Sequence, residues 1–400
     1  MQTPKFIFVS NYINHHQIPI CNELYRLLGG SFAFCQTEEI EEERLSMGWA
    51  NERPEYVVCY YENPKKYQEW IDTCDVVFFG GTDEESYIKF RLEENKPVIR
   101  YSERLYRTGQ WKAISPRGLR KKYEDHTKYR RQNVYMLCSG AYVPSDFSIV
   151  RAYPDKMLRW GYFTQTKTYD LEELMDGKEC GHILWAARFI DCKHAELPIE
   201  LAAYLKEKGL HFKLDMIGNG MLFAETQRYA KQLGVEDRVT FCGMKTPQEV
   251  RVAMEKAPIY LVTSDRGEGW GAVMNEAMNS GCAVLANHMI GAAPYLIRHG
   301  ENGFLYQDGK KEMLFAKVEE LLQNPAECIR VGKNAYETIH DLWSPYIAAR
   351  RLIALAIRNG FLKEEDAPEV TDYQTIPSEG PCSVAPVISE RAMWKTLTQR

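Results

Sequence analysis

The chain has no sign of paired cysteines. Its eleven cysteines are an odd number, no two stand as Cys-x-x-Cys, and most lie in apolar runs, as at Cys21, Cys35, Cys59 and Cys74. That pattern argues against a disulfide framework or a zinc site and for reduced, buried thiols in a cytosol. Long apolar stretches are also missing, and no run nears the roughly 18 residues that a membrane span requires. The opening residues, Met1 to Val9, set no basic segment ahead of a long apolar core, so no secretory leader is expected and the protein reads as cytoplasmic. Excess positive charge is absent: the net charge is -5, which gives no reason to expect nucleic acid as a partner. No short repeat occurs. What remains is 45% hydrophobic and 26% charged, the composition of an ordinary globular protein. Its 400 residues are too many for one core and suit about two domains.

Short apolar runs alternate with helical periodicity almost from the start. Phe6 to Ser10 reads as a strand, and His16 to Leu28 as a helix with Ile18, Cys21, Leu24 and Leu28 on one face. Further strands are expected at 32–35, 56–60, 76–79, 98–101, 135–138 and 157–163. A polar segment with Gly177 and Gly181 follows, and the alternation then restarts at His182 to Phe189, with strands at 212–217, 239–243, 258–264 and 282–286. Thr246-Pro-Gln-Glu249 carries the proline and the glutamate of a capped helix start. This rhythm predicts an α/β fold: parallel sheets covered on both faces, with ligands beyond the carboxyl ends of the strands. The expected divisions are a first Rossmann-like domain over 1–165, a linker over 166–181 and a second such domain over 182–343. A helix over 344–362 and an acidic, proline-bearing, weakly ordered tail over 363–400 complete the chain.

The most informative stretch runs from Asp265 to Gly281. An apolar strand leads into Gly267, Gly269 and Gly271, with Glu268 and Trp270 between them, and a helical run carrying Glu276 follows. Glycines let the backbone pass close to a ligand, and the first turn of a helix suits a phosphate. The two carboxylates flank the turn, and a carboxylate fits a diol because it accepts two hydrogen bonds at once. A glycine-rich turn can equally be tight packing, with Glu276 an ordinary surface residue. The two glutamates around the glycines, followed by Ala277 to Ala286, resemble the donor-binding signature of family 4 glycosyltransferases, retaining enzymes of the GT-B fold.

That resemblance implies two facing Rossmann-like domains, with the helix from Ser344 crossing back to the first. It also implies that the second domain binds a nucleotide-diphosphate sugar and the first an acceptor. In the family, an arginine after the first strand of the second domain and a lysine five residues later hold the diphosphate. Arg188 and Lys193 match in spacing, although Ala187 stands where the family usually has glycine. Two cations are what a leaving diphosphate needs as negative charge grows on its oxygen. With Glu268 they form the expected catalytic set. Gly218, Gly220, Gly267, Gly269, Trp270, Gly271 and Glu276 form the expected donor site. Tyr295 replaces a glutamate usual in the Gly291-Ala-Ala-Pro294 loop. No Asp-x-Asp pair stands at a strand end, so the resemblance implies metal-independent transfer without a cofactor, by front-face displacement.

Over the first domain the resemblance is architectural, apart from the Asn14-His15-His16-Gln17 helix start, and the family's glycine-rich loop after the first strand is missing. Asn14, His15 and His16 are acceptor candidates, or cap and pack the turn. Glu103 and Arg104 line the cleft or form a surface ion pair. Between 112 and 131, eight lysines and arginines face only Glu124 and Asp125. That run is either a solvated helix face or a peripheral contact with an anionic leaflet or a lipid-linked diphosphate. The leading expectation is a hexosyltransferase acting on a saccharide or lipid-linked oligosaccharide in cell-surface polysaccharide synthesis. A sugar-nucleotide 2-epimerase of the same fold and a non-catalytic nucleotide-sugar-binding protein are the alternatives.

Overall fold

The computed structural model describes residues 3–40, 53–107 and 109–398. The chain forms two compact units, one of residues 1–165 with 343–388 and one of 166–342 with 389–400. Each is built on a parallel sheet. The first sheet comprises β1 (Phe6–Ser10), β2 (Phe32–Gln36), β3 (Val57–Cys59), β4 (Val76–Phe79), β5 (Val98–Ser102), β6 (Val134–Ser139) and β7 (Met157–Trp160), in the order β3-β2-β1-β4-β5-β6-β7. The second comprises β8 (His182–Ala186), β9 (Lys213–Ile217), β10 (Val239–Gly243), β11 (Ile259–Val262), β12 (Ala283–Asn287) and β13 (Phe304–Tyr306), in the order β10-β9-β8-β11-β12-β13. Both are Rossmann-like, because the strand order turns outward from a central first strand. That creates one switch point in each sheet, between β1 and β4 and between β8 and β11. Strand β13 was not expected from sequence; its run of three residues, Phe304-Leu305-Tyr306, is too short to carry a period, and register with β12 makes it a strand.

Central strands are apolar on both faces because helices cover both. All five residues of β1 are buried, and in the second unit Ile183, Trp185, Leu214, Met216, Ile259 and Leu261 share one core. The capping box is present: Thr246 accepts from the Glu249 amide while Glu249 accepts from the Thr246 amide. Helix Pro345–Arg358 starts at Ser344, whose hydroxyl accepts from the Ile347 amide, and belongs to the first unit, against helix Ile18–Leu28.

Two expectations are corrected. Residues 166–181 are not a loose polar linker but part of the second unit. The Lys167 amide donates to Asn279, a helix runs over Leu171–Asp176, and the Lys178 ammonium donates to the carbonyls of Met254, Ala257 and Ser280. The segment is polar because it bonds to the second unit: its Lys178 side chain is spent on backbone carbonyls there. Nor is 363–398 weakly ordered. Residues 382–385 pair antiparallel along the exposed edge of β7, through Arg159 N to Ser383 O (2.7 Å), Cys382 N to Arg159 O (2.9 Å) and Ala385 N to Met157 O (3.0 Å). An unpaired edge strand supplies the partners that the tail's own composition does not advertise. A last helix, Glu390–Thr398, then joins the second unit, so the chain changes unit a third time near Ile388.

Candidate functional site

The switch point of the second unit brings together the loop after β8 and the loop after β11. Strand β8 ends at Ala186, and Ala187-Arg188-Phe189 turns over the end of β9. Hydrogen bonds from Ala187 N to Ile217 O (3.1 Å) and from Phe189 N to Asn219 O (2.9 Å) hold that turn down. Gly218 and Gly220 have φ of +134° and +153°, and a Cβ on either would run into the backbone of Ala187 or Phe189. These glycines therefore seat the segment that carries Arg188; their absent side chains make room for protein backbone. Arg188 itself is exposed.

Lys193 follows in a short 3-10 turn, Asp191–Lys193. Its backbone carbonyl accepts from the Thr263 hydroxyl (2.6 Å), which in turn accepts from the buried Trp185 indole (2.8 Å). The Asp265 amide donates to Cys192 O (3.0 Å), and Gly267 lies so close to Cys192 that a Cβ would approach its side chain at 3.0 Å. The two loops are thus stitched together, and a side chain at 267 would press on Cys192 and on the Asp265 carboxylate. The Lys193 ammonium forms an ion pair with the Glu268 carboxylate, to which the Ser264 hydroxyl also donates (3.2 Å). Burial pushes the Lys193 ammonium down to about 8, and the nearby Arg188 guanidinium acts in the same direction. Two cations and a carboxylate therefore lie near one another at the β8/β11 switch point, with Lys193 paired to Glu268 and within electrostatic reach of Arg188.

Gly271, at φ +87°, closes the loop, and helix Val273–Asn279 begins. Gly269 lies in the same turn, next to Glu268. Trp270 corrects one expectation. Its indole is 1% exposed and donates to Asn275 (2.9 Å), while its carbonyl accepts from Ala292 N (3.1 Å). Its side chain is core, holding the glycine loop to the loop after β12. Glu276 is half-buried, and burial raises its carboxyl above the usual range while Arg251 acts the other way. Tyr295 lies with its ring centroid 6.4 Å from that of Trp270.

Sequence reasoning stopped at Lys193 and missed His194. This residue has φ of +50°, and its ring donates Nδ1–H to Glu196 (2.8 Å) and Nε2–H to Asp265 (3.2 Å). Hydrogen bonds to Glu196 and then Asp265 raise it to about 9, against the effect of burial. The only sequence signal was its place beside the lysine.

The first unit has its own cavity of about 400 Å³ at the β1/β4 switch point, lined by Asn11, Asn14, His16, Gln17, Gly81, Tyr101, Arg107 and Trp160 to Phe163. Gln17 donates to Ser10 (3.1 Å) and Tyr101 (3.2 Å), and Asn14 donates to Gln17 (3.0 Å). The rings of His15 and His16 lie 3.8 Å apart, and His16 stacks on Tyr162. Burial lowers both, His16 to about 3, and the neighbouring His15 acts on His16 in the same direction. Glu103 accepts from the Tyr162 hydroxyl (2.5 Å) and pairs with Arg107, a cavity residue. Arg104 is a correction: it is neither cleft-lining nor a surface ion pair. It is buried beneath this region against Asp146, at 3.2 Å and 3.3 Å, with its guanidinium 5.1 Å from the Tyr142 ring. Desolvated charges need a partner, and Asp146, forty-two positions along the chain, is invisible to local reading. The basic segment places Lys112, Arg117, Arg120 and Lys121 at the surface with exposed Trp111, Ile114, Leu119 and Tyr123. No helix among the described residues is long and apolar enough to cross a membrane.

The family model described as "Glycosyl transferases group 1" matches residues 178–338. The amylovoran biosynthesis glycosyltransferase AmsK of Erwinia amylovora is 29% identical over 181 residues, 44% of each chain. The putative glycosyltransferase EpsD of Bacillus subtilis is 30% identical over 146 residues, 36% of this chain and 37% of the relative. The chain thus matches less than half the length of these curated relatives. Among solved structures, HepE of Anabaena, crystallised with UDP and glucose, has a TM-score of 0.61 at 15% identity, covering 88% of this chain and 98% of that one. TarM has a TM-score of 0.64 at 11% identity, covering 88% and 99%. The likeness of these structures shows the fold, which is GT-B.

Proposed function

We propose that the protein is a family 4-like retaining hexosyltransferase, moving a hexose from a nucleotide-diphosphate sugar to a saccharide or lipid-linked oligosaccharide during cell-surface polysaccharide synthesis. The observation that carries this reading is the convergence of Arg188, Lys193 and Glu268 at the β8/β11 switch point, within the segment that matches the family model. UDP bound to HepE supports a nucleoside-diphosphate ligand.

In this reading Arg188 and Lys193 meet the diphosphate and stabilise the charge that grows as the glycosidic bond breaks, without a metal. Glu268 accepts from donor hydroxyls and Glu276 from the ribose diol. No carboxylate is assigned as nucleophile; the leaving phosphate takes the acceptor's proton on the same face. The acceptor lies in the first unit's cavity, where Asn14, His16 and the Glu103–Arg107 pair offer neutral and charged partners to sugar hydroxyls. The basic segment holds the protein on the inner face of an anionic membrane, its lysines and arginines on headgroups and Trp111 and Ile114 at the boundary.

A thermal-shift screen of nucleoside diphosphates and their sugars, followed by turnover of the sugar that stabilises most, tests the reading. A specific shift and acceptor-dependent release of the diphosphate are expected. Conversion of UDP-N-acetylglucosamine with no acceptor present would favour the epimerase, and no shift with any nucleotide would overturn the donor site.

A further inference from the structure

His194 has a backbone conformation that few side chains adopt. At φ +50° and ψ +54° it is left-handed, a region in which histidine is tolerated but costs free energy. Its two ring nitrogens face carboxylates on different segments: Glu196, which opens the helix Glu196–Glu207, and Asp265, at the start of the glycine loop. A carboxylate only accepts, so both nitrogens must carry protons and the ring must be an imidazolium. Asp265 uses its second oxygen to accept from the Gly267 amide (2.7 Å), and its charge reaches Lys193. The charged groups around the ring are therefore Glu196, Asp265 and Lys193, the last paired with Glu268.

We propose that His194 is a positioning residue of the diphosphate site: its imidazolium bridges Glu196 and Asp265, locks the loop after β8 to the glycine loop, and cancels a carboxylate that would otherwise repel the ligand. This rests on the reading of the crevice as a diphosphate site. Without the imidazolium, Asp265 would remain as a negative charge next to the lysine that the ligand needs. Asp265, which accepts from the Gly267 amide, would also lose the partner that fixes its direction. The raised histidine value agrees with a cation held between two anions.

The test uses the full chain, UDP as probe, and His194→Gly, a substitution that suits the left-handed backbone and so spares the fold. His194→Gly should weaken UDP binding by on the order of ten-fold, the loss expected for hydrogen bonds to charged groups. It should also speed hydrogen exchange at the Gly267 amide in the ligand-free protein. Adding Asp265→Asn, which keeps an acceptor for Gly267 but removes the charge, should recover most of the lost affinity. Unchanged affinity and unchanged Gly267 exchange in His194→Gly would overturn the proposal. Weakened binding that Asp265→Asn does not rescue would overturn its charge-cancelling part. Should wild type bind no nucleotide, the diphosphate reading fails, and the Gly267 exchange alone decides whether His194 locks the loop.

Discussion

Replacing Gly218 by alanine separates a glycine that makes room for a ligand from one that makes room for the protein itself. Its φ of +134° lies in a region that side chains rarely enter, and the added Cβ would collide with the Ala187 carbonyl oxygen. The backbone conformation alone costs about 1–3 kcal/mol. Displacing Ala187, which is pinned by its own bond to Ile217, adds about 1–3 kcal/mol of overpacking. For a unit of this size that predicts a fall in Tm of roughly 4–24 °C. Gly209→Ala is the control. Its φ is +71°, yet nothing lies within 4 Å of the new Cβ, so only the left-handed penalty of about 1–2 kcal/mol applies. Because the displaced turn carries Arg188, Gly218→Ala should also weaken UDP binding by an order of magnitude or more, since a shift of about 1 Å in a positioned group is that costly. Gly209→Ala should leave it unchanged. Differential scanning and titration calorimetry on the three proteins read both effects. If Gly218→Ala melts with Gly209→Ala and binds UDP like wild type, the turn does not position the arginine.

The remaining predictions concern charge. Burial holds the Lys193 ammonium at about 8, so binding of a diphosphate to the free protein should weaken as pH rises through that value, and Lys193→Arg should remove the limb; an unaltered pH profile in the variant refutes the assignment. The sign for stability is opposite. A lysine depressed from its ordinary 10.5 is more protonated in the unfolded chain, so its own term makes folding more favourable as pH rises between about 8 and 10.5. Reversing Arg117, Arg120 and Lys121 to glutamate should release the protein from anionic liposomes, at about 1 kcal/mol per residue. Equal sedimentation of wild type and variant at low and moderate salt would leave a solvated helix face.

What the sequence determined by itself was whatever is written in neighbouring residues. Apolar runs of four to eight residues located every strand except β13. Thr246 and Glu249 marked a helix start, and the glycines around Glu268 marked a strand-to-helix turn. Arg188 and Lys193 were singled out because their spacing matches the family that the chain resembles. Tertiary structure decided which of these side chains face a crevice and which face the core. Arg104 and Trp270 look like site residues until Asp146 and Asn275 are seen to hold them inside. Gly218 and Gly220 carry a demand that the sequence does not show, because the backbone of Ala187 and Phe189 occupies the space a side chain would need. His194 has one carboxylate partner nearby in the chain, Glu196, and gains the second only because Asp265, seventy-one positions away, arrives beside it. The tail gains its order by pairing along β7, the last strand of its sheet. Except for Asn275, which lies five positions from Trp270, the deciding partner is remote in sequence, and desolvation makes it obligatory: a buried charge or backbone amide must be paired, and no local pattern says by what.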